Sequence, residues 1–442
     1  MKTKVIILLL MLTALLLSQC DKEPEPKPTF PDKNFLKALI NSGFDKNKDQ
    51  TISPDEVESV TYLHVYGDSI SDLTGIELFT NLETLICTSN QLIQLDVSNN
   101  KAIEYLDCSR NQIGSLITNN PALEQLYCVG NLLYSLDVSN NPTLKILDCQ
   151  SNRLTSLDVS NNTSLKILEC DGNRLTTLNV SNNVVLEEIV CNGNSIRNLD
   201  VTKCFALKKL QCSGNPLTSL DVSKNIALTY LNCDGAYFND LNVTNNSVLE
   251  YLNCNNNHNL TSLDVTQNLI LKNLACCSTD ITSLDVSKNT ILKELLCGGD
   301  LLNSLDVSNN TSLTYLYCVS NKLTALDVSK NTALEDLYCE YNPLGSLDIS
   351  KNIKLKSLSC RKNELKILDV TNNVNLKQLV CSSNPLSQLD ISLNNKLELL
   401  WIESMPDFFK VCVWTLPFPP SNFQLRTTYS LYLYFTTDCT GK

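Results

Sequence analysis

Fifteen cysteine thiols recur along this chain from Cys87 to Cys381, at a step of 21 residues with one step of 20 and one of 22. Thiols at a fixed period could ligate metal, pair as disulfides or fill a core. A structural metal needs a convergent tetrahedral set, and the chain contains no C-x-x-C pair. A disulfide between same-facing positions of stacked turns would strain the bridge geometry. Reduced thiols in a core fit best, because cysteine is among the most buried residue types. Acid–base chemistry has little to work with. The only histidines, His64 and His258, fall in separate segments, and no nucleophile elbow, P-loop or zinc motif is present. Cys277, beside Cys276, lies outside the column and is expected to face outward with no histidine partner. The chain is not expected to be an enzyme.

The elements that carry these thiols are repeated turns. Leu144, Leu147, Cys149, Asn152, Leu154, Leu157, Asp158, Val159, Ser160 and Asn162 mark one clean unit, L-x-x-L-x-C-x-x-N-x-L-x-x-L-D-V-S-x-N. A fixed period of this size predicts a solenoid, which grows by stacking and needs no single central core. Alternation around Leu147 and Cys149 predicts a short strand with one face buried. One asparagine column, from Asn90 to Asn384, follows three residues after the thiols and breaks at Ala236, Thr279 and Asp300. Its carboxamides are expected to satisfy buried backbone groups. A second column, from Asn100 to Asn394 with Cys204 as the one substitute, reads as turn chemistry. The segment between strands is too short for a long helix, so the back of each turn should be extended, a β-turn or a 3₁₀ piece.

The unit resembles the bacterial leucine-rich repeat, and more narrowly the cysteine-bearing 21-residue type of the internalin family, over roughly residues 60 to 402. The resemblance implies a β-rich solenoid, helical only at its N-terminal cap. Its parallel sheet would have about 17 short strands and span roughly 80 Å at the usual strand spacing.

The ends read differently. Lys2 and Lys4 precede an apolar run, Val5 to Leu17, that is short for a membrane span. Leu17-Ser18-Gln19-Cys20 resembles a bacterial lipobox, with Gln19 departing from the usual small residue. That implies a signal peptide over 1–19, lipidation at Cys20, and a protein exported and lipid-anchored to the cell envelope. Residues 20–33, rich in Pro, Lys and Glu, read as a tether. Within a cap over 34–59, Asp45 to Glu56 resembles an EF-hand calcium loop. The resemblance implies Asp45, Asn47, Asp49, Thr51, Ser53 and Glu56 as ligands of a possible Ca²⁺. Gln50 stands where that family has glycine. No other cofactor is expected. Residues 403–442 are aromatic and β-branched and read as a β-type C-terminal cap. Val411 to Trp414 and Tyr429 to Thr437 are its strand-like runs, and Cys412 and Cys439 its expected disulfide.

The outward sheet positions are left to carry function. Tyr315, Tyr317, Tyr338 and Tyr341, with Asp336 and Glu340, fall on two adjacent turns and form the leading ligand-binding candidate. Tyrosine clusters bury large area at low entropy cost. Asp107, Asp148, Glu169 and Asp171, with Tyr105 and Tyr127, form an acidic patch nearer the start. A net charge of −12 disfavours nucleic acid, which needs clustered Lys and Arg. The expected function is a surface-anchored, non-catalytic, monomeric binding protein for a protein ligand. The alternatives are surface-glycan capture, with Trp401 among the stacking residues, or an envelope spacer.

Overall fold

The computed structural model describes residues 30–405, 407–430 and 433–439. The signal segment, Cys20 and most of the tether lie outside the described residues. Eighteen parallel strands of three residues form one continuous sheet. They stack in sequence order, from Tyr62–His64 through Ile146–Asp148 and Ile167–Glu169 to Leu399–Trp401 and Gln424–Arg426. In each repeat strand the central Leu or Ile is buried and its two neighbours face outward. Register is set by the leucines, as Leu147 pairs Leu168 and Leu316 pairs Leu337. All fifteen column cysteines are buried and unbridged.

Two carboxamide ladders stitch the turns. Asn152 donates to the carbonyls of Cys128 (2.9 Å) and Cys149 (3.1 Å) and accepts from the Leu133 N–H (3.1 Å). The second column is more than turn chemistry. Asn162 is fully buried and donates to the carbonyls of Val138 (2.9 Å) and Asn141 (2.8 Å) in the previous turn. Left-handed backbone falls at neither column position. It falls two residues after each thiol, as at Ser151 (φ 54°) and Gly172 (φ 63°). The Asp of each D-V-S closes a local turn instead, with Asp158 accepting from the Ser160 N–H at 2.9 Å. The back of the solenoid is extended. It forms a two-stranded sheet (Gln94–Asp96 with Ser115–Ile117) near the start and a three-stranded one near the end.

The N-terminal cap is a helix over Lys33–Asn41, started by Asp32, whose Oδ1 accepts from the Asn34 (2.7 Å) and Phe35 (3.1 Å) N–H groups. Phe35, Ala38 and Leu39 bury one face of it. The Asp32 Oδ2 reaches the first coil, accepting from the Ser71 N–H and Oγ at 2.7 Å each. Burial works against this carboxylate, but the donors from Ser71, Phe35 and Asn34 outweigh it and hold its pKa below the usual range.

At the other end the repeat pattern stops but the coil does not. Gln424–Arg426 adds a strand to the main sheet, and Lys410–Cys412 and Tyr434–Thr436 add two to the back sheet. That extra strand takes the sheet past the seventeen expected from the repeats. Tyr429 is in left-handed backbone (φ 63°), and among the described residues of the strand-like run expected from Tyr429 onward the strand is Tyr434–Thr436. Cys412 and Cys439 are joined, with Cα atoms 5.6 Å apart.

Candidate binding surface

Three of the four singled-out tyrosines converge. Tyr315 and Tyr317 flank buried Leu316 and therefore share one face, and the parallel register sets Tyr338 beside Tyr317 and Asp336 beside Tyr315. Ring centroids lie 5.6 Å apart for Tyr315–Tyr338 and 6.1 Å for Tyr317–Tyr338. Room for this cluster comes from a residue with no side chain. A Cβ on Gly298 would collide with the Tyr317 ring, and its backbone is not left-handed, so glycine is needed there for space alone.

Tyr341 stands apart from the cluster. It occupies the left-handed position after its strand (φ 56°), with Arg361 and Lys362 5.7 and 5.5 Å from its ring centre. Together with Tyr338 and Glu340 it borders a groove of about 350 Å³ that runs to Trp401 and Arg426. The Arg426 guanidinium lies 4.2 Å from the Trp401 ring centre, a cation–π contact. Burial raises the Glu340 carboxyl, opposed by a hydrogen bond from Ser359 and by the Arg361 charge. Sequence reasoning missed Arg361, Gln378 and Arg426 in this groove. Arg361 and Gln378 lie in variable columns with no repeat signal. Arg426 lies on the strand that no pattern announced.

The acidic patch also forms. Tyr105 and Tyr127 are 5.4 Å apart. Burial, with Glu169, Asp171 and Asp107 nearby, pushes the Asp148 carboxyl up to about 7. Glu169, which accepts from the Gln150 amide, and Asp171 are also raised, chiefly by burial. A third aromatic site lies between this patch and the Tyr315–Tyr317–Tyr338 cluster along the sheet. Tyr230 and Tyr251 stack at 4.2 Å with parallel rings.

In the calcium-like loop, Gln50 adopts the left-handed turn (φ 64°) that the resemblance requires. Asp45 accepts from the Asp49 and Gln50 N–H groups at 3.1 Å each. The Glu56 Oε1 accepts from the Lys46 (2.8 Å) and Asn47 (3.2 Å) N–H groups, and its Oε2 from the Ser53 N–H and Oγ (2.9 Å each). Donors led by the Ser53 and Asn47 N–H groups hold Glu56 below its usual pKa. The oxygen donors fit a hard cation in type and order, but Glu56 would have to exchange these hydrogen bonds to ligate. Among the described residues, the one tight group of three potential ligands is Asp390, Cys412 and Cys439, whose sulfurs are tied in the disulfide.

Cys277 is half-buried rather than outward. Its Sγ accepts from the Gly298 N–H at 3.2 Å, and burial pushes the thiol up to about 11. It is a poor nucleophile there. His64 lies on the first strand and His258 in the turn after Asn257, so the structure does not join them.

Strand order, thiol column and outward aromatic face define a leucine-rich repeat protein with a cysteine ladder. Among solved structures, the functional domain of internalin J from Listeria monocytogenes, itself with a cysteine ladder, superposes with a TM-score of 0.72 at 36% identity. The match covers 85% of this chain and 81% of that one. A leucine-rich repeat protein of Leptospira interrogans shares the fold at 22% identity, with a TM-score of 0.68, over 80% of this chain and 92% of that one. Curated internalin J from Listeria monocytogenes serotype 4b (strain F2365) is 41% identical over 71 residues. That stretch is 16% of this chain and 8% of the relative's length. No family-level sequence profile matches the chain. The chain belongs to the internalin-like, cysteine-ladder leucine-rich repeat family. Among the described residues, no helix is long and apolar enough to cross a membrane.

Proposed function

We propose that this protein is a surface-anchored, non-catalytic binding protein that engages a protein ligand through the outward face of its sheet, at the Tyr315–Tyr317–Tyr338 cluster. The observation that carries this reading is the cluster together with the glycine that makes room for it: three rings at contact distance, one of them, Tyr317, seated against Gly298. Aromatic groups held this way lose little entropy on binding. Supporting it, the two histidines stand on separate turns, His64 on the first strand and His258 in the turn after Asn257. Export and lipidation at Cys20 belong to the same proposal, resting on the lipobox-like segment. So does Ca²⁺ in the loop Asp45 to Glu56, where it would tie the cap and take no part in ligand contact.

The groove between Tyr338 and the Arg426-stacked Trp401 favours a second reading, capture of a surface glycan. Its ring platforms are flanked by Glu340, Arg361 and Gln378. A photo-crosslinking residue at Tyr338, compared with one at exposed Asn161 on the opposite side, tests the first reading in cells. A protein adduct from Tyr338 alone supports it. Adducts from neither position, or equally from both, would overturn it. Binding to one sugar class that is lost on Trp401→Ala selects the second reading. Loss of fatty-acid labelling in Cys20→Ser is the expected result for the anchor, and unchanged labelling refutes it.

A further inference from the structure

One lateral edge of the solenoid carries an apolar stripe that the binding face does not use. In six consecutive turns, at least one of the two positions after the second asparagine column holds an exposed Val, Phe, Ile or Leu side chain, from Val184 to Ile291. Ile226 is 65% exposed, Leu269 56% and Phe205 55%. The same positions in the turns before the stripe are Pro142-Thr143 and Thr163-Ser164, and in those after it Thr311-Ser312 and Thr332-Ala333. The stripe is thus bounded by polar turns at both ends. A contiguous exposed apolar patch rimmed by polar residues marks an interaction surface.

Its order is nearly self-complementary about Ile226. Reversing the stripe sets Phe205 against Val248, and Val184-Val185 against Leu269-Ile270. The charged column beside it reverses with the same centre over the two turns on either side; one turn further out Lys166 meets Lys293 and Ile291 meets Thr163-Ser164, so the match ends there. Counting outward from Thr229, Lys208 falls opposite Glu250, and Glu187 opposite Lys272. Each of these groups already pairs along its own chain, Lys208 with Glu187 at 2.6 Å and Lys272 with Glu250 at 2.8 Å. All four remain solvent-accessible and able to reach across a neighbour. A surface that matches its own reversal is what a two-fold, isologous contact requires.

We propose that this edge is an antiparallel interface between two copies of the chain, with the two-fold axis at Ile226. The apolar stripe forms its core and the Lys–Glu column its rim. This departs from the monomer expected of the sequence and does not depend on which ligand the sheet face takes. Lys224, exposed on the other flank, meets its own copy across the axis, and this like-charge contact weakens the pair.

Cysteine cross-linking of the full chain in cells tests both the contact and its register. Every described unbridged thiol of the unsubstituted protein is buried or half-buried, so the unsubstituted chain is the background control. Ile226→Cys should link to its own copy. Phe205→Cys alone should not, while co-expressed Phe205→Cys and Val248→Cys chains should link to each other. An Ile226→Cys chain that stays monomeric on oxidation overturns the interface. Equal self-linking by Phe205→Cys overturns the antiparallel register. Sedimentation of the purified full chain should show Ile226→Asp weakening the dimer about tenfold or more. Because Ile226 is exposed, this substitution leaves the core intact, and unchanged sedimentation would also overturn the proposal.

Discussion

Asp300 is the position where one substitution should both stabilise the solenoid and remove a pH dependence. It stands in the first asparagine column, 4% exposed, with a carboxylate in place of a carboxamide. One turn on, Asn321 donates to the carbonyls of Cys297 (2.7 Å) and Cys318 (3.2 Å). Asp300 has no N–H to give. Its Oδ1 accepts from the Thr279 N–H (2.8 Å) and Oγ1 (2.9 Å), and its Oδ2 is buried without a partner. Burial is the largest cause that lifts its pKa from an ordinary 3.8 to about 6, against the Thr279 hydrogen bonds. The folded form therefore holds its proton more tightly than the unfolded chain. Stability is unaffected by this group below the unfolded value, falls as pH rises between the two values, and stays low above the folded one. The interval between 3.8 and about 6 corresponds to a penalty of about 3 kcal/mol near pH 8 and about 1 kcal/mol near pH 4.5. Asp300→Asn removes the ionisation and restores donors towards the Cys276 and Cys297 carbonyls, each new bond adding about 1 kcal/mol. Urea unfolding followed by circular dichroism, on both chains across pH 4.5 to 8, reads the difference while other titrations cancel. The Asn variant should be more stable throughout, by about 2 kcal/mol more at pH 8 than at pH 4.5. A gap that does not change with pH would refute the reasoning.

Other outcomes follow from the same geometry. A thiol reagent at pH 8 should find no rapidly reacting group among the described residues of the native protein, because burial raises every column thiol and holds Cys277 at about 11. In urea the seventeen unbridged thiols of the described residues should all react. Rapid native labelling of any column cysteine would contradict a packed ladder. Gly298→Ala should destabilise by about 1–3 kcal/mol through its clash with the Tyr317 ring. The part due to the ring should disappear in a Tyr317→Ala background, leaving only the close approach to the Val319 carbonyl oxygen at 3.0 Å, and a double-mutant cycle in urea measures that coupling. Calcium should raise the melting temperature of the wild-type chain but not of Asp45→Asn, as followed by calorimetry. Equal responses would remove the loop Asp45 to Glu56 from consideration.

The sequence by itself determined the parts that repeat. A leucine or cysteine at the same offset in fifteen turns can be buried together only if the turns stack, so period, register and inward face follow from spacing alone. The first asparagine column was legible for the same reason. The second was misjudged in part. Asparagine suits both turns and buried ladders, and only the stacked coil shows Asn162 bonding carbonyls of the turn before it. The tyrosines could be placed on one face from alternation. That Gly298 clears space for Tyr317 could not, because it depends on where a side chain lies across the neighbouring turn. Arg426 meets Trp401 through a strand with no repeat signature. Val184, Phe205, Ile226, Val248 and Leu269 keep a near-constant offset from the second column, so spacing aligns them, but only the tertiary structure shows that this offset is solvent-exposed and forms one apolar edge. Stacking turns about twenty residues apart in sequence within about 5 Å in space decides which single residues become a surface.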